Sequence, residues 1–80
     1  MISIIVPAKN EAKNIYKNLS HLQELRKHNI CEIILVDGGS TDNTIKVANN
    51  LVDHVLKTRP GRAIQQNIGA SIARGNIFLF

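Results

Sequence analysis

Apolar and polar positions alternate in blocks along the 80-residue chain. Residues 2–6, which include Ser3, and residues 33–36 and 77–80 are apolar runs, and residues 54–58 form a further short strand candidate. Unalternating runs of this length are typical of strands that are buried on both faces of a parallel sheet. The pattern therefore predicts four strands, separated by three segments that have other periodicities.

Each of those three segments has apolar residues at helical spacing. The first predicts an amphipathic helix that Asn10 caps and that ends near Lys27. The second predicts a helix that begins among the capping side chains of residues 40–44. The third predicts a helix over residues 62–73, capped by Gly75, with a buried stripe at i, i+4 and i+8 that consists of Ile64, Ile68 and Ile72.

The predicted order is βαβαβαβ, an α/β fold in which right-handed crossovers give a parallel sheet with alternating helices. Ligands bind at the carboxyl ends of the strands in such sheets, so the loops of interest are 8–11, 37–40 and 59–62. We find no internal boundary in residues 1–80 and expect one domain. Because the chain ends inside an apolar strand, we expect it to be truncated at the fourth strand.

Charge is distributed unevenly, although the net value of +4 is modest. Residues 1–53 contain six basic and six acidic side chains, whereas residues 54–80 contain four basic side chains and no acid. An anionic ligand would therefore be attracted to the last third. The single cysteine excludes an internal disulfide, and we expect a cytoplasmic protein.

Polar residues in the three loops are candidates for binding, and each also has a structural interpretation. Asp37 follows a buried strand and precedes two glycines that allow close approach of a ligand, but it could simply cap a turn. Glu11 could equally complement a helix dipole. Arg59 and Arg62 could bind phosphate or form a solvated turn, and the amide-rich segment 65–67 has both interpretations.

Taken together, the three loops resemble the start of a family 2 glycosyltransferase with the GT-A fold. The residues that carry the resemblance are SIIVPAKNE at 3–11, ILVDGGSTDNT at 34–44, and Gly61-Arg62-Ala63 with Asn67, Gly69, Ala70 and Arg74-Gly75-Asn76. The resemblance covers essentially the whole chain with the motifs in order. It implies a GT-A, Rossmann-like half domain, the N-terminal part of one glycosyltransferase domain.

The resemblance also implies a binding site for a nucleoside-diphosphate sugar. Its residues would be Pro7, Ala8, Glu11, Asp37, Gly39 and Arg62, with Asp37 near the base or ribose and Arg62 near the base or diphosphate. The family often has a second Asp where this chain has Gly38. Its metal-binding D-x-D motif follows the fourth strand, so ligands of a divalent ion, Mn or Mg, are expected beyond residue 80. We assign no catalytic base and no metal ligand within the chain.

The implied reaction transfers a sugar from the nucleoside diphosphate to an acceptor hydroxyl, usually with inversion, and residues 1–80 alone would be inactive. The acceptor stays open, nucleic acid is not expected, and peripheral association with the inner face of a membrane is compatible with the family. The alternative is a non-catalytic nucleotide- or anion-binding module that uses the basic last third. A nucleotidyltransferase is disfavoured because residues 8–11 lack glycine.

Overall fold

A four-stranded parallel sheet forms the centre of the computed structural model, which describes residues 1–80. The elements in chain order are β1 (Ile2–Ala8), α1 (Ala12–Ser20), α2 (Gln23–Lys27), β2 (Cys31–Asp37), α3 (Thr44–Ala48) with a 3₁₀ turn (Asn49–Leu51), β3 (His54–Lys57), α4 (Arg62–Ile72) and β4 (Asn76–Leu79). The strand order is β3-β2-β1-β4, and every neighbouring pair is parallel. The α/β fold with alternating strands and helices is thus confirmed.

Helices cover both faces of the sheet, which explains the unalternating apolar strands. Alternate residues of a strand point to opposite faces. Ile4 of β1 packs in a cluster with Ile15 of α1 and Ala48 of α3, whereas Ile5 of β1 belongs to a second cluster beside α4. All seven residues of β2 are buried. None of the helices, of which α4 is the longest at 11 residues, is long and apolar enough to span a membrane.

The first helical segment is broken into two, where the apolar pattern predicted one continuous helix. α1 ends at Ser20 and α2 begins at Gln23. The carbonyl oxygen of Leu19 accepts hydrogen bonds from the backbone N–H of Leu22 and from Nε2 of Gln23, at 3.0 Å each. The same Nε2 also donates to the carbonyl of Leu51 at 2.9 Å. A tertiary contact to the 3₁₀ turn therefore ends α1.

The predicted isoleucine stripe of α4 is only partly buried. Ile72 is half-buried against the cluster of Ile5, and Ile64 is also half-buried, but Ile68 is exposed. The fully buried residues of the helix are Gln65 and Gly69. A Cβ at Gly69 would lie 2.5 Å from Cγ2 of Ile5, so the missing side chain lets the helix lie directly on β1. The predicted cap at Gly75 is also wrong. The helix ends at Ile72 with Ala73 as its C-cap, and the backbone N–H of Gly75 instead donates to Oγ of Ser3.

Candidate functional site

The three loops singled out from the sequence meet at one edge of the sheet. Ala8 pairs with Asp37, and Asp37 pairs with Lys57, so β1, β2 and β3 end side by side. Hydrogen bonds continue past the strands: the N–H of Gly38 donates to the carbonyl of Ala8, and that of Thr58 to the carbonyl of Asp37, both at 2.8 Å. This edge is where ligands bind in open α/β sheets.

The carboxylate of Asp37 lies inside its own loop and is only 2% exposed. Its Oδ2 accepts hydrogen bonds from the backbone N–H groups of Gly39, at 3.0 Å, and Ser40, at 2.8 Å. Its Oδ1 accepts one from the Ser40 hydroxyl. Gly39 has φ +93°, a conformation that side chains rarely adopt, and the space beside it is open. Asp37 therefore fixes the loop that exposes Gly39.

Side chains of the second loop, rather than Asn10, cap α1. Asn10 has φ 53°, and its Oδ1 accepts a hydrogen bond from the backbone N–H of Thr41 at 2.8 Å. The N–H of Glu11 donates to Oγ1 of Thr44 at 2.8 Å, and Oδ2 of Asp42 accepts from the N–H of Ala12 at 3.2 Å. The hydrogen bond from Thr44 leads the contacts that lower the pKa of Asp42. The first two loops are thus one bonded unit.

A shallow cleft of about 200 Å³ opens between the first loop and the start of α4. Its lining residues are Pro7, Ala8, Lys9, Glu11, Arg62 and Gln65. Four of the six expected binding residues are therefore brought together. Asp37 and Gly39 lie on the neighbouring loop and do not line the cleft. Lys9 was not assigned to the site from sequence, although its place beside Glu11 was a signal, and Gln65 was noted only for its amide.

The charged side chains of the cleft are free to bind a ligand. Lys9, Glu11 and Arg62 are all exposed, and none of them makes an ion pair or a side-chain hydrogen bond. Two cations can neutralise an anion such as a diphosphate, and a carboxylate can accept hydrogen bonds from hydroxyl or N–H groups. The cleft therefore carries groups that complement the phosphates, hydroxyls and N–H groups of a nucleotide.

A larger hollow of about 430 Å³ lies elsewhere, beside α2, and Lys27 is the one side chain of its wall that has no hydrogen bond or ion pair. Arg26 in its wall bonds Asp53 at 3.1 Å, the carbonyls of Asn50 and Val52, and Oε1 of Gln23. These bonds tie α2 to the segment before β3. We therefore assign the hollow a structural origin.

No group of three or more His, Cys, Asp or Glu side chains in residues 1–80 is arranged to hold a metal ion. Glu11 is the single carboxylate of the cleft, and its neighbours there are cations or uncharged. The donor set of the cleft therefore does not fit a divalent ion on its own.

Comparisons with known proteins agree with the fold. The family model described as glycosyl transferase family 2 matches residues 3–80. The glycosyltransferase GlyG of Streptococcus pneumoniae is 37% identical over 94% of this chain. The chain spans only 27% of that relative's length.

Two solved structures superpose closely on the chain. Glucosyl-3-phosphoglycerate synthase from Mycobacterium tuberculosis, in complex with Mn²⁺, UDP and glucosyl-3-phosphoglycerate, has TM-score 0.82 and 25% identity, and the match covers 100% of this chain and 32% of that one. The mannosyltransferase PcManGT from Pyrobaculum calidifontis, in complex with GDP-Man and Mn²⁺, has TM-score 0.80 and 26% identity over 92% of this chain and 24% of that one. The expected GT-A half domain is confirmed, and the chain belongs to glycosyl transferase family 2.

Proposed function

We propose that residues 1–80 are the N-terminal, donor-binding part of one glycosyltransferase domain. The observation that carries the proposal is the cleft between the carboxyl end of β1 and the start of α4, where Lys9, Glu11 and Arg62 are exposed and unpaired. The similar structures that contain UDP or GDP-Man support a nucleoside-diphosphate sugar as the ligand class. None of these three charged side chains forms an ion pair within residues 1–80.

The arrangement assigns a part to each predicted residue. Arg62 and Lys9 would neutralise the diphosphate, whose leaving tendency rises as its charge is balanced. Glu11 would accept hydrogen bonds from sugar hydroxyls. Pro7 and Ala8 would form one wall, while Asp37 would act through the loop that presents the open backbone at Gly39.

The whole reaction would transfer the sugar to an acceptor hydroxyl with inversion at the anomeric carbon. It needs a general base for the acceptor and charge balance on the leaving diphosphate. The cleft's own residues supply part of the charge balance. We propose that a divalent ion, Mn or Mg, completes it, held by residues outside 1–80 together with the base, so that residues 1–80 alone are inactive.

Binding of nucleoside diphosphates to the full-length protein tests the proposal. UDP, GDP and their sugars are titrated in the presence of Mn²⁺, with uridine and guanosine as matched controls that lack phosphate. We expect at least one diphosphate to bind and to raise the unfolding temperature, and the nucleosides to bind much more weakly. Absence of binding by every diphosphate, with salt-dependent binding to random oligonucleotides, would establish the anion-binding module instead.

We also propose a cytoplasmic location with peripheral association at the inner face of the membrane. The exposed cations Lys57, Arg59 and Arg62 lie close together in the chain near the cleft and suit an anionic surface. Fractionation of cells that express the full-length protein tests this: recovery in the membrane pellet that is released by high salt is expected, and recovery in the periplasm or medium would contradict it.

A further inference from the structure

Gln65 is a buried polar side chain whose amide bonds three separate segments. It lies on α4 and is 5% exposed. Its Nε2 donates to the carbonyl of Val36 at 2.9 Å and to that of Ala8 at 3.2 Å, and its Oε1 accepts from the N–H of Gly61 at 3.2 Å. Both amide hydrogens and one oxygen lone pair are therefore used on backbone groups at the ends of β1 and β2 and before α4.

The amide occupies the space that a side chain at position 38 would need. A Cβ on Gly38 would lie 2.9 Å from Oε1, 3.0 Å from Cδ and 3.0 Å from Nε2 of Gln65. The backbone does not demand glycine there, because the left-handed glycines are Gly39 and Gly61. Gly38 therefore packs against the Gln65 amide, and a side chain at position 38 would have to displace that amide from its hydrogen bonds.

Gln65 also connects the two walls of the cleft. One wall is the first loop, which continues from Ala8, and the other begins at Gly61 and carries Arg62. Gln65 is the side chain that hydrogen-bonds to both. Because Arg62 directly follows Gly61 and Glu11 lies three residues after Ala8, we expect a shift of the amide to change the separation between Arg62 and Glu11. Ligands that contact both are sensitive to displacements of about 1 Å.

We propose that Gln65 is a positioning residue of the donor cleft, and that Gly38 is required because it leaves room for the Gln65 amide. The inference rests on the proposed function, since it holds that the width of the cleft, which Gln65 sets, determines how tightly a nucleoside diphosphate binds. It adds a residue that acts through the backbone of Ala8 and Gly61 rather than through contact with the ligand.

The variant Gln65→Ala tests the proposal in the full-length protein, with Gln66→Ala as a matched control. Gln66 is the next residue of α4 and makes no side-chain hydrogen bond. The probe is whichever of UDP and GDP binds the wild type more tightly. We expect Gln65→Ala to raise its Kd roughly tenfold, because the amide that joins Ala8 to Gly61 is lost, and Gln66→Ala to change it by less than about twofold.

A double-mutant cycle with Gly38→Ala tests the packing argument. In the wild-type background the added methyl group displaces the amide, and we expect the Kd to rise about threefold to tenfold. In the Gln65→Ala background the methyl group enters empty space, and we expect almost no further change. Gly38→Ala keeps all of Gln65, so it remains informative if Gln65→Ala does not fold.

The outcomes separate the inference from the proposed function. If the wild type binds neither UDP nor GDP, the proposed function and the positioning role of Gln65 are both wrong. If the wild type binds one, but Gln65→Ala lowers only the unfolding temperature and leaves the Kd and the donor KM unchanged, the proposed function stands and the positioning role is wrong. Additive effects of Gly38→Ala and Gln65→Ala on the Kd would likewise overturn it. A raised donor KM at unchanged kcat, with coupling in the cycle, supports it.

Discussion

The two ends of the sheet both collect charged and polar side chains, but they use them in opposite ways. At the carboxyl end, Lys9, Glu11 and Arg62 are exposed and have no protein partner. At the amino end, the carboxylate of Glu32 is 3% exposed, and its Oε2 accepts hydrogen bonds from Oγ of Ser3 at 2.6 Å and from the N–H of Arg74 at 2.8 Å.

Whether a charged side chain has hydrogen-bond or ion-pair partners within the protein therefore distinguishes a binding site from a structural cluster more clearly than its residue type does. Oε1 of Glu32 has no hydrogen bond, but it lies 3.5 Å from Nε of Arg74 and 3.6 Å from Nε2 of His54. Burial favours a raised pKa for Glu32, yet the hydrogen bonds from Ser3 and Arg74 and the nearby charges hold that pKa below its usual value. This cluster fastens β1, β2 and the approach to β4 together.

The largest effect is expected from Glu32→Ala, which removes the centre of the amino-end cluster. It leaves the buried hydroxyl of Ser3 and the N–H of Arg74 without their acceptor, and we expect the free energy of unfolding to fall by about 3 kcal/mol. Donor binding by the remaining folded protein should be unchanged. Denaturant unfolding measures the stability of the full-length protein, and calorimetric titration measures its donor affinity. A raised donor Kd at unchanged stability would show that the amino-end cluster serves binding rather than structure.

Asp37→Ala tests a residue that lies at the carboxyl end of the sheet but is buried and hydrogen-bonded like Glu32 at the amino end. Asp37 lies at the carboxyl end, but its carboxylate is buried and accepts three hydrogen bonds within its loop. We expect a loss of about 2 kcal/mol of unfolding free energy together with weaker donor binding, because the loop loses its internal acceptor. Chemical unfolding and titration with UDP or GDP would show both. Equal stability with weaker binding would place the carboxylate in contact with the ligand.

The sheet and the edge that carries the site could be predicted from sequence because both depend on local pattern. Apolar runs without alternation specify buried parallel strands, and parallel strands bring their following loops to one edge. That pattern made Glu11 and Arg62 candidates, and the resemblance to family 2 glycosyltransferases assigned them to the site. The structure brings both to one cleft. Whether a side chain at that edge is buried and hydrogen-bonded or free to bind a ligand depends on residues that are distant in the sequence.

The failures share this cause. The break after Ser20 requires a bond between Gln23 and Leu51, 28 residues apart, and nothing in the local helical spacing signals it. The hydrogen bonds that Asp37 accepts within its own loop were likewise not visible in the local pattern, and its place near the base or ribose stays a prediction. The buried face of α4 was predicted from isoleucines, but close approach of Gly69 to Ile5 decides it.

Arg62→Ala should separate binding from stability at the carboxyl end. Arg62 is exposed and unpaired, so we expect the unfolding free energy to stay within about 0.5 kcal/mol of wild type. Donor affinity should fall about tenfold, or roughly 1.4 kcal/mol, with the loss largest at low salt. Arg59→Ala is the matched control, since Arg59 precedes the same helix but does not line the cleft, and an equal effect of both variants would indicate attraction by charge alone.

The smallest effect is expected from acid alone, which changes the charge of Glu32 without removing its atoms. Because the folded protein holds the pKa of Glu32 below the ordinary value of 4.5, the unfolded chain binds the proton more readily. The stabilisation is therefore present above pH 4.5 and is lost as the pH falls through that value towards the lower pKa of the folded protein. Unfolding between pH 6 and pH 3 should show a shallower loss in Glu32→Gln than in wild type, with Asp42, whose pKa is also lowered, contributing equally to both proteins. If the stability of the two proteins fell in parallel with pH, Glu32 would not be the acid-sensitive group. The amino-end cluster would then be stabilised by packing rather than by the charge of Glu32.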